Sequence, residues 1–156
     1  MSQLYAGRLI EAAGGPDVLG ERRADAVAAT LEAHRSPDGG YAKKAGGAMG
    51  STYHTFLAAL VCGMIQQPLP EPERVVDFLK SRLRDDGGFA ELPVMKRSGT
   101  NPTAAAVALA GMLGADAALT RGAADALAAL QSHVEGGFHA NRSAPPIASP
   151  RSANAV

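Results

Sequence analysis

Apolar and polar positions follow two alternating helical patterns along the chain. From Thr52 to Ile65 and from Pro102 to Leu113 nearly every residue is apolar and most are small, the pattern of a helix covered on every side. Glu71 to Arg84 differs. There Val75, Leu79 and Leu83 form one stripe, while Glu73, Arg74, Asp77, Lys80 and Arg84 carry charge elsewhere, so this helix shows one face to water. Ala24 to His34 and Asp116 to His133 share that amphipathic pattern, through Val27 and Leu31 and through Leu119, Ala123, Leu127 and Leu130. These runs predict an all-α protein that pairs one inner with one outer helix. With 32 Ala and 18 Gly, its helices can approach closely.

Punctuation agrees. Pro68, Pro70 and Pro72 separate an inner from an outer run, and Pro72 suits a first helical turn, where a missing N–H costs nothing. Asn101-Pro102 is the expected start of the second inner helix, with Asn101 as its cap. Gly-Gly pairs are expected to close the outer helices. His34 and His133 lie near those helix ends, where the dipole favours a cation.

The runs belong to a repeat. Asp38-Gly39-Gly40-Tyr41 recurs 48 residues later as Asp86-Gly87-Gly88-Phe89 and 49 residues after that as Glu135-Gly136-Gly137-Phe138. The same register carries Thr52 to Thr100, Thr55 to Thr103, Ala58 to Ala106, Gly63 to Gly111 and Met64 to Met112. Three units follow, near 21–65, 71–113 and 116–142, within a repeat domain spanning 1–142. Tyr41, Phe89 and Phe138 are expected to plug the junctions between units. A third inner helix should begin near residue 149, but the segment 143–156 has no apolar period and is expected to be a disordered or altered tail.

Charge and composition narrow the chemistry. A formal net charge of zero offers no basic field for nucleic acid and no polybasic patch for anionic membranes. The longest uncharged apolar stretch, Pro102 to Ala115, has 14 residues against the ~20 that span a bilayer. Arg8 and Glu11 interrupt the first apolar run, so no secretory signal is expected, and the single Cys62 allows no internal disulfide. A cytoplasmic protein is the resulting expectation. Phosphate-loop, dinucleotide and nucleophile-elbow motifs are missing from the sequence.

The period, the Asp-Gly-Gly-Phe-like turn and the helix starts Ser51-Thr52-Tyr53-His54-Thr55 and Thr100-Asn101-Pro102-Thr103 resemble the prenyltransferase and squalene oxidase repeat over roughly residues 21–142. The resemblance implies an α/α toroid whose inner helices line an apolar cavity for an isoprenoid chain. A ring of about six such hairpins takes roughly 290 residues, so three units imply a partial, half ring. It also implies a transferase acting on an isoprenoid diphosphate. Tyr53-His54-Thr55 resembles the segment that carries the family's histidine zinc ligand, which makes His54 the candidate metal residue. No Asp-X-Cys pair accompanies it, and Cys62, eight residues along the same helix, lies ~12 Å away along the axis, so the zinc site is incomplete. Terpene cyclisation is not expected: the acidic Asp-X-Asp-Asp motif is missing, and few aromatic faces could steady a cation.

In stacked repeats, equivalent loops gather at one end. The loops after the Gly-Gly turns hold Lys43, Lys44, Lys96, Arg97, His139 and Arg142, opposed mainly by Glu91, beside inner-helix N-termini that favour anions. Lys43, Lys44, Tyr53, Lys96, Arg97 and Asn101 are therefore the candidate diphosphate-binding residues; the alternative is that the cations among them are ordinary solvated loop residues. The alternative function is a noncatalytic helical-repeat module that binds a protein or lipid. Because a half ring exposes inner-helix surface, a second copy or a second subunit is an expected partner.

Overall fold

A computed structural model describes residues 2–18, 20–132 and 136–141. Those residues form six α-helices and no strand: α1 Ser2–Ala12, α2 Gly20–Ala33, α3 Thr52–Met64, α4 Pro72–Arg82, α5 Thr100–Met112 and α6 Ala123–Ala128. None of these helices is long and apolar enough to cross a membrane. The third-turn residue Glu135, together with His133, Arg142 and the tail from 143, falls outside the described residues.

Helices α3 and α5 pack against each other over most of their length, α4 lies against both, α6 packs on α5, and α1 packs on α3. Ala59, Ala106 and Ala110 let the two central helices approach, and Val75, Phe78, Leu79, Phe89 and Leu109 fill the space above them. Leu79, Phe89, Ala106 and Leu109 are completely buried. The apolar transfer of such side chains, at about 1.5–3 kcal/mol for each large one, is the main force holding the units together.

Several expectations are corrected. The Gly-Gly pairs do not end the outer helices. Helices α2, α4 and α6 stop at Ala33, Arg82 and Ala128, and each is followed by a small hairpin whose antiparallel bridges are Arg35–Tyr41, Leu83–Phe89 and Gln131–Phe138. The turn acids explain this: Asp38 and Asp86 accept the N–H groups of Gly40 (3.3 Å) and Gly88 (3.1 Å), folding the chain back on itself. Gly39, Gly87 and Gly136 take φ of +88°, +80° and +69°, which favours glycine. Leu83 leaves the helix in extended conformation to start its hairpin, so it is exposed, and Arg82 takes its place on the buried face with Val75, Phe78 and Leu79. His34 does not cap a helix; its Nδ1 donates to the Ala42 carbonyl of its own hairpin at 3.0 Å.

The third outer run is not one helix. Asp116 caps a 3-10 turn, Ala117–Thr120, and α6 starts only at Ala123. Gly122 stands between them because its Cα lies against Gly87 of the second turn. The cap of α5 is Gly99, not Asn101, which lies inside the first turn. Nor are the inner helices covered all round, since α5 leaves Ala104, Val107, Ala108, Gly111 and Met112 exposed. Tyr41 and Phe89 do plug the structure, at 2% and 0% exposure, whereas Phe138 is 41% exposed.

Burial pushes the Tyr41 hydroxyl up to about 12, with the nearby Cys62 adding to the shift. Raising the pKa of an acid on folding favours its neutral form, so the unfolded chain loses this proton first as pH rises. Stability should therefore fall by on the order of 1 kcal/mol per pH unit between about pH 10 and 12. Tyr41→Phe should flatten that slope in urea titrations; an unchanged slope would assign it to other groups.

Candidate functional site

Each inner helix begins with a threonine that holds the hairpin of the next unit. Thr52 donates through Oγ1 to the Ala90 carbonyl at 2.7 Å and through N to the Glu91 carbonyl at 3.1 Å. Thr100 repeats this on the His139 carbonyl at 2.6 Å and the Ala140 carbonyl at 3.1 Å. A second threonine serves the helix's own hairpin, since Thr55 and Thr103 accept the N–H groups of Tyr41 and Phe89, both at 2.9 Å. The Thr-x-x-Thr helix start is thus a device for satisfying buried backbone groups, and it gathers the hairpins and inner-helix N-termini at one rim.

The two N-termini on that rim differ. At α3, the Glu91 carboxylate accepts from the Ser51 hydroxyl and from the Tyr53 N–H at 3.3 Å, so a protein carboxylate already occupies the positive end of the helix. His54 is part of the same network, its Nδ1 lying 2.8 Å from Ser51 Oγ, with the Tyr53 ring edge-on at 6.0 Å. At α5, Ala140 stands where Glu91 stands one unit earlier, and among the described residues no carboxylate caps the helix.

Between the second and third hairpins, at the start of α5, a cleft of about 590 Å³ opens. Tyr53, Met95, Pro102 and Phe138 give it apolar walls, and Arg97, Asn101, Asn141 and Glu91 supply its polar groups. Of the candidate diphosphate residues, the structure brings Tyr53, Arg97 and Asn101 together here. Lys43, Lys44 and Lys96 are exposed on their loops and do not line the cleft. Phe138, expected from the sequence only as a junction plug, and Asn141, not singled out there, also line the cleft; the position of Asn141 directly after the third hairpin was the available signal.

The described residues do not fit zinc. Among the described residues no group of three His, Cys, Asp or Glu side chains gathers to hold a metal. Nδ1 of His54 is engaged by Ser51, and Cys62 is buried, its thiol pushed up by desolvation and so a poorer ligand. The turn acids serve structural ends: Asp38 holds Ser36, Gly40, Gly50 and Arg82, and Asp86 holds Gly88 and Ser98. Compared with known proteins, the chain matches no family model, no curated protein and no solved structure.

Proposed function

We propose that the chain is a prenyltransferase-like α/α repeat protein, a partial ring of three units whose rim cleft takes an isoprenoid diphosphate. One observation carries the reading: the cleft sets a guanidinium and two amides beside a helix N-terminus that has no side-chain cap, and it continues along an apolar wall. Arg97, Asn101 and Asn141 bind the diphosphate, and the first isoprene units lie against Tyr53, Met95 and Phe138. Glu91 repels any anion placed closer to α3, which orients the head group toward α5. The assignment is to binding; no residue is given a role in bond breaking, and zinc has no part in it.

Calorimetric titration of geranylgeranyl diphosphate into the full chain should give saturable binding. Arg97→Ala should weaken it about tenfold, the worth of a hydrogen bond between charged groups, while the Lys43→Ala/Lys44→Ala variant should bind like the parent. Equal affinity in Arg97→Ala would remove the reading. A second reading, a noncatalytic module for a protein or lipid partner, is favoured by the exposed apolar face of α5. It predicts binding of neither the prenyl diphosphate nor inorganic diphosphate.

A further inference from the structure

Glu91 does more at the rim than satisfy the start of α3. It is half-buried there, and its Oε1 accepts from both the Ser51 hydroxyl and the Tyr53 N–H, which fixes the carboxylate in place. Oε2 accepts from none of the described residues, and among them no ion pair includes Glu91. A helix N-terminus carries only about half a positive charge, so it balances part of the carboxylate and leaves the remainder to the cleft that Glu91 lines. His54 reaches the carboxylate only through the Ser51 hydroxyl.

The walls of the cleft suit a cation. Tyr53 and Phe138 both line it, at 42% and 41% exposure. Aromatic faces attract a positive charge, and their apolar area takes up the alkyl chain that carries it. The number of open oxygens then sets the kind of cation. A guanidinium is held best by two carboxylate oxygens at once, whereas an ammonium is a point charge that one oxygen satisfies. With Oε1 already shared by two donors, Glu91 offers one.

We infer that the α3 end of the cleft binds a primary alkylammonium, its charge on Glu91 Oε2 and its methylenes along the Tyr53 ring. This is the chemistry of a lysine side chain or of a free alkylamine. The inference does not rest on the prenyl diphosphate reading, which concerns the α5 end of the same cleft.

Titration of n-butylammonium into the full chain, followed by NMR, is the test. It should shift the Tyr53 amide saturably and give nuclear Overhauser contacts from the butyl methylenes to the Tyr53 ring. Glu91→Gln keeps an oxygen that accepts from Ser51 and Tyr53 but removes the charge, and it should weaken binding about tenfold. n-Propylguanidinium should bind several-fold more weakly than n-butylammonium. Tighter binding of Nα-acetyl-lysine amide than of n-butylammonium would assign the ammonium to a protein side chain, and the reverse would assign it to a free amine; both support the site. A parent chain with no saturable shift and no contact to Tyr53 would overturn the inference. So would equal affinity in Glu91→Gln, or a guanidinium that binds as well as the ammonium. Binding of n-butylammonium by a chain that takes up no geranylgeranyl diphosphate would support this site and remove the diphosphate reading alone.

Discussion

Replacing Arg82 with alanine should lower the unfolding free energy by about 3–5 kcal/mol, the usual cost of removing one partner from a buried ion pair. Arg82 is 2% exposed on α4, yet its guanidinium reaches back to the first unit, donating to the Asp38 carboxylate and to the Gly50 carbonyl at 3.3 Å. It also lies 4.2 Å above the Phe78 ring and bonds Ser81 Oγ at 2.7 Å. Alanine would leave Asp38 without its cation and open a cavity beside Phe78. The Nε of Arg82 has no hydrogen-bond partner among the described residues, so the site is incompletely hydrogen-bonded even when intact. The double variant Arg82→Met with Asp38→Asn should therefore recover much of the loss, because it removes both charges and keeps the volume. Urea denaturation of the four species gives the coupling directly, and an alanine variant within 1 kcal/mol of the parent would refute the argument.

The pair also sets a pH dependence. Partial burial works against the Asp38 charge, but hydrogen bonds from Ser36, Gly50 and Arg82 outweigh it and hold the carboxyl below the usual carboxylate range. A depressed acid contributes stability above its unfolded pKa of 3.8 and loses it as pH falls through the lower folded value. Acid unfolding below about pH 4 should be shallower in Asp38→Asn than in the parent.

The second large effect is expected at Gly87→Ala, at about 3 kcal/mol or more. Gly87 has φ of +80°, and an added methyl would meet the Gly122 Cα at 2.7 Å and its carbonyl oxygen at 2.8 Å. Those are backbone atoms, so no side-chain rotation relieves the overlap. Gly136→Ala is the internal control: its φ is +69°, but none of the described residues lies within 4 Å of the new methyl. It should cost only the left-handed conformation, roughly 1–2 kcal/mol. Thermal unfolding of both variants separates the two contributions, and equal losses would show that the close approach of the second hairpin to Gly122, just before α6, is unimportant.

The repeat is legible in the sequence because its invariant positions satisfy buried backbone groups. A threonine that must accept the Tyr41 or Phe89 amide has no freedom to vary, so the register shows. The hairpins are less legible, since Gly after Asp suits either a helix end or a tight turn, and only the packing of Gly39 and Gly87 on neighbouring elements decides between them. Leu83 and Arg82 exchange roles for a similar reason: apolar spacing points to Leu83, but the helix ends one residue earlier, and Asp38, 44 residues away, supplies the partner that allows an arginine to be buried. In the cleft, Tyr53, Arg97 and Asn101 converge while Lys43, Lys44 and Lys96 do not. Loop cations carry no periodic signal that says which turns inward, and the capping of α3 by Glu91 joins residues 38 apart in the chain.

The threonine that opens each inner helix gives the array a direction. Thr52 and Thr100 reach forward to carbonyls of the following hairpin, so the first and second units each bring the donor that fastens the successor. Growth by tandem duplication at the C-terminal end would meet a donor already in place. Growth at the other end would succeed only if the incoming unit carried its own, so an evolving array of this kind lengthens more readily from one side.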